Sequence, residues 1–533
     1  MRPPTAQETQ YKSGLRNIGQ IVSAHARLSP DKIATRDSRR AFTFSQWNQR
    51  ACRLANALTG LGLVKGDRVA VLAYNRVEWM EIYAALAKVG LVIVPLNFRL
   101  IGPEIGYIAE HCGARALIVQ DELADRVEGM RGGLDIPEKN WIRLGDEAVT
   151  RWTPYEALID GASDREPDTP VAPTDTWALM YTSGTTGKPK GVIRNHQGSA
   201  LMSLVTALDM GMTCDDTALL VMPMCHANSL NFLCTFTYLG ATVVIDDRKS
   251  FDPEALLATM ANRHVTFTSL VPTHYIMTLS LPEAVKASYD VSRVRKLMIS
   301  SAPARRDTKL AIMEYFANSQ LYELYGSTEA GWVTLLRPDE QIDHLGSVGR
   351  EWTGSGPVRM LDPEGREVAD GEVGELFSCT PYAFDGYLND PVKTAEALRG
   401  DYCSVGDLAR RDGQGFIHLV DRKSNMIISG GENIYPSEIE GVLGRHPGVQ
   451  DVAVVGLPHE KWGESVHAVI VLHEGAAATE AGMLDWCRDK MAGYKRPRAV
   501  SFMRESEIPR TATGKIQHRL LRDKLLAARS SSR

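Results

Sequence analysis

At 533 residues, 44% hydrophobic and 23% charged, the chain exceeds what one hydrophobic core usually serves, so two or more domains are expected. A formal charge of −5 excludes a globally basic surface for nucleic acid and favours a small-molecule ligand. The eight cysteines are scattered without a CxxC pair, which argues against a zinc site or a disulfide framework and for a reducing, cytoplasmic compartment.

The opening MRPPTAQETQYK lacks the apolar core of a signal peptide. The longest apolar run, IYAALAKVGLVIVPLNF, is broken by Lys88 and Pro95, so no transmembrane helix is expected. RVAVLAY, LVIVPLN, ARALIVQ, ATVVID, VTFTSLVP and RKLMISS predict strands, with EWMEIYAALAKVG and PEIGYIAEHCG as helices between the first of them. This alternation is the rhythm of parallel sheets covered by helices. YTSGTTGKPKG, Tyr181 to Gly191, then supplies glycines that let backbone N–H groups converge, hydroxyl donors and lysine charge, a combination suited to a polyphosphate. A strand VIRN and a helix with Leu201, Leu204, Val205 and Leu208 on one face come next. From about Gly346 the sequence reads as a β-rich subdomain closed by FIHLVDRKSNMIISGG, and beyond that as a compact α+β unit. The expected fold is therefore α/β. Residues 1–421 form a large N-terminal domain of parallel-rich sheets covered by helices plus the β-rich subdomain, and residues 422–533 form a small α+β domain.

The glycine loop is not a Walker A loop. Only two residues separate Gly184 from Gly187, and Lys188 is followed by Pro189, which has no hydroxyl for a metal and no N–H. No G-x-G-x-x-G follows the first strand either, which weighs against a Rossmann dehydrogenase. Four further motifs occur in order after it: YGSTE (Tyr325 to Glu329), YCSVGDLA (Tyr402 to Ala409), VDRKSNMIISGGENIYPSEIE (Val420 to Glu440) and PRTATGK (Pro509 to Lys515). Together the five resemble the signature of the adenylate-forming superfamily, which includes acyl-CoA synthetases, aryl-CoA ligases, peptide-synthetase adenylation domains and luciferases.

The resemblance implies activation of a carboxylate by Mg2+ and ATP to an acyl-adenylate, followed by transfer to the thiol of CoA, with a mobile C-terminal domain. It places the β- and γ-phosphates on Thr182, Ser183, Gly184, Thr185, Thr186, Gly187 and Lys190. It sets the Tyr325 ring against adenine, with Gly326 and Ser327 beside it, Thr328 on the α-phosphate and Glu329 on magnesium, a hard cation that suits a carboxylate. Without the other motifs, YGSTE would read as a helix N-cap. Ser301, Ala302 and Pro303 match the segment lining the adenine pocket, where Ser300 replaces the usual glycine and narrows the acyl pocket. Asp407 and Arg422 would hold the ribose hydroxyls, although an isolated Asp or Arg is more often a solvated surface residue. Ser424 stands at the hinge position where relatives carry Asp or Lys. Gly430 and Gly431 would let the pantetheine chain pass. Lys515 would reach the carboxylate and α-phosphate; its bland alternative is a solvated lysine ahead of a terminal helix.

For the acid, His226 matches by position the aromatic or histidine gate of relatives, and Gly331, Trp332 and Thr334 follow YGSTE where the resemblance places the acyl wall. Trp332, if it points inward, ends the tunnel early and favours a medium-chain, branched, cyclic or aromatic monocarboxylic acid. Expected partners are this acid, ATP and CoA, with a homodimer and a lysine acyltransferase acting on Lys515 left open. A stand-alone adenylation enzyme loading a carrier protein, an inactive nucleotide-binding regulator and luciferase-like oxygen chemistry remain as alternatives.

Overall fold

Runs of branched apolar residues become strands buried on both faces, as the sequence predicts. In the computed structural model the described residues are 15–145, 149–182, 189–301, 304–430, 432–488, 490–510 and 514–531. They fall into two compact units: one runs to Pro357 and adds Ser378–Cys403, the other takes Val358–Phe377 and continues from Ser404.

The first unit carries two large sheets. One has eight strands in the order Gly386–Tyr387, Lys190–Asn195, Thr176–Thr182, Val92–Leu96, Arg68–Leu72, Ala114–Gln120, Trp141–Leu144 and Thr153–Pro154. From Thr176–Thr182 onward neighbours are parallel, whereas Lys190–Asn195 and Gly386–Tyr387 add on antiparallel. The other has nine strands, parallel from Gln320–Ser327 through Lys296–Ile299, Phe267–Leu270, Thr217–Leu220 and Thr242–Ile245 to Ile33–Arg36, with antiparallel strands at both edges. Loops at the carboxyl ends of such strands are where doubly wound sheets bind ligands.

Helix Glu78–Val89 is buried on every side although it carries Glu78, Glu81 and Lys88. Each charge is paired: Glu81 with Arg50 at 2.6 Å, Lys88 with Glu166 at 2.8 Å, and Glu78 with Arg76 at 2.5 Å. Helix His196–Asp209 departs from its sequence pattern. Its leucine face points outward, with Leu204 43% and Leu208 69% exposed, while Ser199, Met202, Ser203 and Thr206 are buried. The small hydroxyls satisfy themselves on the preceding turn, Ser203 on the Ser199 carbonyl at 2.8 Å and Thr206 on the Met202 carbonyl at 2.6 Å. They therefore need no outside partner, and this face packs closely against helix Ala227–Leu239.

At the start of that helix His196 is 3% exposed and lies 6.1 Å from the Trp177 ring. Burial pushes its imidazole down to about 4, against the pull of Asp175. The unfolded chain takes up a proton near pH 6.5 that the folded chain refuses until about 4. The contribution of His196 to stability is thus fully present above pH 6.5 and is lost, by about 3 kcal/mol, as pH falls through this window. His196→Gln should flatten that acid limb in thermal unfolding followed against pH; an unchanged limb would show that His196 is not its source.

The second unit begins with an antiparallel sheet of Arg359–Leu361, Gly374–Phe377, Asp407–Arg411 and Ile417–Arg422. It continues with a five-stranded sheet built on the long hairpin Val449–His459 and Gly463–Leu472. Period-two alternation divides the residues of the first hairpin strand. Val452 and Val454 face Ile439, Leu443 and Met483, whereas Ala453 and Val455 face Leu521 and Leu525 of helix His518–Ser531. This division differs from the boundary at 421/422 read from the sequence, because strand Ile417–Arg422 is bonded to the start of helix Pro436–Leu443 beyond that boundary. The Asp421 carboxylate accepts from the Ser437 N–H at 2.9 Å, and the Ser437 hydroxyl donates to the Val420 carbonyl. Among the described residues no helix is long and apolar enough to cross a membrane.

Candidate active site

The glycine-rich segment follows the carboxyl end of strand Thr176–Thr182. Thr182 pairs with Lys190 across an antiparallel stem, so both stem residues are held by backbone bonds. Ser183, Gly184, Thr185, Thr186 and Gly187 lie outside the described residues, as do Ala302, Pro303 and Gly431. Helix Gly102–Cys112 grips both stems. His111 Nδ1 lies 2.7 Å from the Tyr181 hydroxyl, and the Tyr107 hydroxyl donates to the Pro189 carbonyl at 3.4 Å.

YGSTE forms the turn of a β-hairpin and not a helix cap. Tyr325, Gly326 and Ser327 end strand Gln320–Ser327, Thr328 and Glu329 make the turn, and Gly331 starts the return strand Gly331–Leu336. Gly331 has φ 72°, and an added Cβ would lie 2.7 Å from the Tyr382 ring, so only glycine suits this position. A third segment holds the turn from outside. The Thr380 hydroxyl donates to the Ala330 carbonyl at 2.6 Å, the Tyr382 hydroxyl to the Trp332 carbonyl at 3.0 Å, and the Phe384 N–H to the Glu329 carbonyl at 2.7 Å. Beneath it the buried Arg194 guanidinium donates to the Thr328 carbonyl at 3.1 Å. Burial lowers the pKa of Arg194, with Asp385, Tyr382 and Glu329 opposing.

Glu329 is 7% exposed. The Tyr387 phenol donates to its Oε1 at 2.8 Å, and the Lys190 ammonium sits 4.0 Å from the centroid of the same Tyr387 ring. Burial, partly offset by Glu329, lowers the Lys190 pKa from the usual lysine value. Lys190, Tyr387 and Glu329 thus form one connected group joining the strand after the glycine-rich segment to the YGSTE turn.

Ser300 and Ser301 follow strand Lys296–Ile299. The left-handed backbone falls on Ser301, with φ 69°, so strain that glycine would relieve sits one residue beyond the glycine replacement read at Ser300. Ser300 is 3% exposed and accepts from the Asn228 amide at 2.8 Å; the same amide donates to Ser269 at 3.0 Å. These three residues tie helix Ala227–Leu239 to the ends of two parallel strands, and His226 is the N-cap of that helix. Trp332 packs as a core residue. Its indole N–H donates to the Thr206 hydroxyl at 2.9 Å and its ring lies 5.6 Å from that of Phe232. Thr334 is fully buried and donates to the Val348 carbonyl at 2.6 Å. The bulk of Trp332 is spent on packing, so the inference from it to a short acyl tunnel loses its support.

The second unit brings Asp407, Arg422 and Lys515 together. Arg422 Nε lies 3.0 Å from Asp407 Oδ1 across paired strands. The Lys515 side chain reaches solvent, yet the protein packed around it withdraws water from the ammonium and, with the Arg422 charge, lowers its pKa, while Asp407 opposes. Ser424 is exposed in the turn after Arg422, and the preceding Asp421 braces that turn by accepting from the Arg422 N–H at 2.6 Å and the Asn425 amide at 3.2 Å. Gly430 has φ 63°, donates its N–H to the Trp462 carbonyl at 2.9 Å and lies under the Trp462 ring.

Sequence reasoning missed Tyr387, Arg194, Asn228 and Asp421. Asn228 and Ser229 stand out as polar residues in HANSLNF, and Tyr387 opens GYLNDPVKTAEA, a segment whose Asn-Asp-Pro marks a helix start.

The AMP-binding enzyme family model matches residues 22–388, and the AMP-binding enzyme C-terminal domain model matches residues 438–515. A feruloyl-CoA synthase of Amycolatopsis sp is 36% identical over 94% of this chain and 97% of its own length. An indoleacetate–CoA ligase of Aromatoleum aromaticum is 33% identical over 94% of this chain and 96% of its own. The crystal structure of the anthranilate CoA ligase AuaEII in complex with anthranoyl-AMP aligns with a TM-score of 0.87 at 28% identity, covering 96% of this chain and 98% of that one.

Proposed function

Because the chain belongs to the AMP-binding enzyme family, we propose that it is an AMP-forming carboxylic acid–CoA ligase acting on a hydrophobic monocarboxylic acid. The observation that carries this reading is the connected group of Lys190, Tyr387 and Glu329, a cation and a carboxylate held at the mouth of a glycine loop. A carboxylate is a poor acyl donor because oxide is a poor leaving group. Attack of the carboxylate on the α-phosphorus of ATP expels pyrophosphate and gives an acyl-adenylate, from which a thiol then displaces AMP as it forms the thioester.

Glu329 suits magnesium. The ion is commonly bound by one or two carboxylates together with substrate phosphates. Among the described residues no cluster of three or more His, Cys, Asp or Glu side chains offers an all-protein cage instead. Bound with ATP, magnesium supplies neutralisation of charge on the phosphates. The chain's own residues do the rest in this reading: Lys190 and the loop hold the phosphates, Thr328 donates to the α-phosphate, and Tyr325 lies against adenine. Asp407 accepts from the ribose hydroxyls beside Arg422, and Lys515 stabilises charge as the carboxylate attacks. Gly430 and Gly431 admit pantetheine, and the part moving between half-reactions is residues 422–533, turning at the exposed Ser424.

Relatives of similar identity are named for feruloyl, indoleacetate and long-chain fatty acid substrates, so aromatic and fatty acids are the first to test. A panel of aromatic, branched and straight-chain acids in a pyrophosphate-release assay would identify the acid. CoA-dependent AMP release without a carrier protein is the expected result. Pyrophosphate release that continues only when a carrier protein is added would favour the adenylation-enzyme alternative, and no release with any acid would reject the ligase reading.

A further inference from the structure

Tyr387 lies in none of the five motifs, yet it touches residues of two of them. It is 6% exposed, its N–H donates to the Thr394 hydroxyl at 2.9 Å, and its backbone pairs with Val192. Burial and two backbone tethers therefore hold the residue in place. Its two ends do different work. The hydroxyl bonds one oxygen of Glu329 at 2.8 Å, which restricts rotation of that carboxylate, and the ring face lies 4.0 Å from the Lys190 ammonium.

We propose that Tyr387 is a positioning residue for metal-nucleotide binding: its phenol fixes the orientation of the Glu329 carboxylate, and its ring seats the Lys190 ammonium at the exit of the phosphate loop. This rests on the reading of Glu329 as the magnesium carboxylate. A metal-binding carboxylate left free to rotate must be ordered each time the ion binds, and loss of such an orienting partner commonly weakens metal affinity about 10- to 100-fold. A lysine without its aromatic seat must likewise be ordered by the phosphates.

Two substitutions separate the two functions. Tyr387→Phe removes the hydroxyl and keeps the ring; Tyr387→Leu removes both. Binding of Mn2+ in the presence of α,β-methylene-ATP is followed by the electron paramagnetic resonance of the free ion, with thermal unfolding as the check on folding. Tyr387→Phe should weaken Mn2+ binding about 10- to 100-fold and leave nucleotide affinity at saturating metal near the parental value. Tyr387→Leu should weaken both. Adding Tyr387→Phe to Glu329→Gln should cause no further loss of Mn2+ affinity, because the phenol acts through Glu329. Parental Mn2+ affinity in Tyr387→Phe, or a full additional loss in the double variant, would overturn the proposal. If Glu329→Gln itself binds Mn2+ like the parent, the magnesium assignment fails and not the role of Tyr387 alone.

Discussion

Glu329→Gln is expected to raise the magnesium concentration needed for half-maximal pyrophosphate release by at least about 10- to 100-fold. The carboxylate is the acidic group of its turn, it is 7% exposed, and Phe384 and Tyr387 hold its backbone and its Oε1. The substitution keeps the size of the side chain and its capacity to accept the Tyr387 hydrogen bond while removing the negative charge that attracts a divalent ion. Saturating magnesium should recover part of the rate, whereas loss of folding would not be rescued by metal. A magnesium titration of pyrophosphate release that superimposes on the parental curve would remove Glu329 from the metal site.

The residues that sequence made legible are those whose chemistry is local. YTSGTTGKPKG and YGSTE state their donors, cation and carboxylate within a few positions, and the apolar runs of the parallel strands need no partner to be recognised. Tyr387 was not legible because its role depends on a strand of two residues laid against Lys190–Asn195, far from either motif it touches. Trp332 is the converse case. Position alone put it on an acyl wall, but whether an indole faces ligand or core is decided by Thr206 and Phe232, which lie more than ninety residues earlier. In helix His196–Asp209 the leucine stripe does not mark the buried face, since Ser203 and Thr206 bond back to their own helix and can be buried as if apolar. Hydrophobic periodicity ranks side chains by type and does not register this self-satisfaction. The two compact units divide elsewhere than at 421/422, since the turn around Ser424 looks like a linker in composition while the Asp421 carboxylate accepts from Asn425 and Ser437.

Lys515→Ala should abolish acid-dependent pyrophosphate exchange yet convert supplied acyl-adenylate and CoA to thioester at close to the parental rate. The two half-reactions ask different things of the chain. Adenylation brings an anionic carboxylate onto an anionic phosphate, so a positioned cation is needed where that repulsion peaks; removing one preorganised group of this kind costs about 10²- to 10³-fold. Thioester formation begins from a carboxyl already joined to AMP, and that repulsion has been overcome. Lys515 belongs to the second compact unit, and Glu329 and the loop stems to the first; under the proposed reading the lysine is needed for adenylation and dispensable afterwards. The ammonium's lowered pKa adds a pH signature. Loss of its proton as pH rises should slow pyrophosphate exchange at a lower pH than an ordinary lysine would, and leave the thioester half-reaction unaffected. Acylation of Lys515 by a lysine acyltransferase would reproduce the alanine variant's pattern, because it removes the charge without unfolding the domain. Equal loss of both half-reactions in a folded Lys515→Ala protein would reject the division of labour, and unimpaired exchange would remove Lys515 from catalysis altogether.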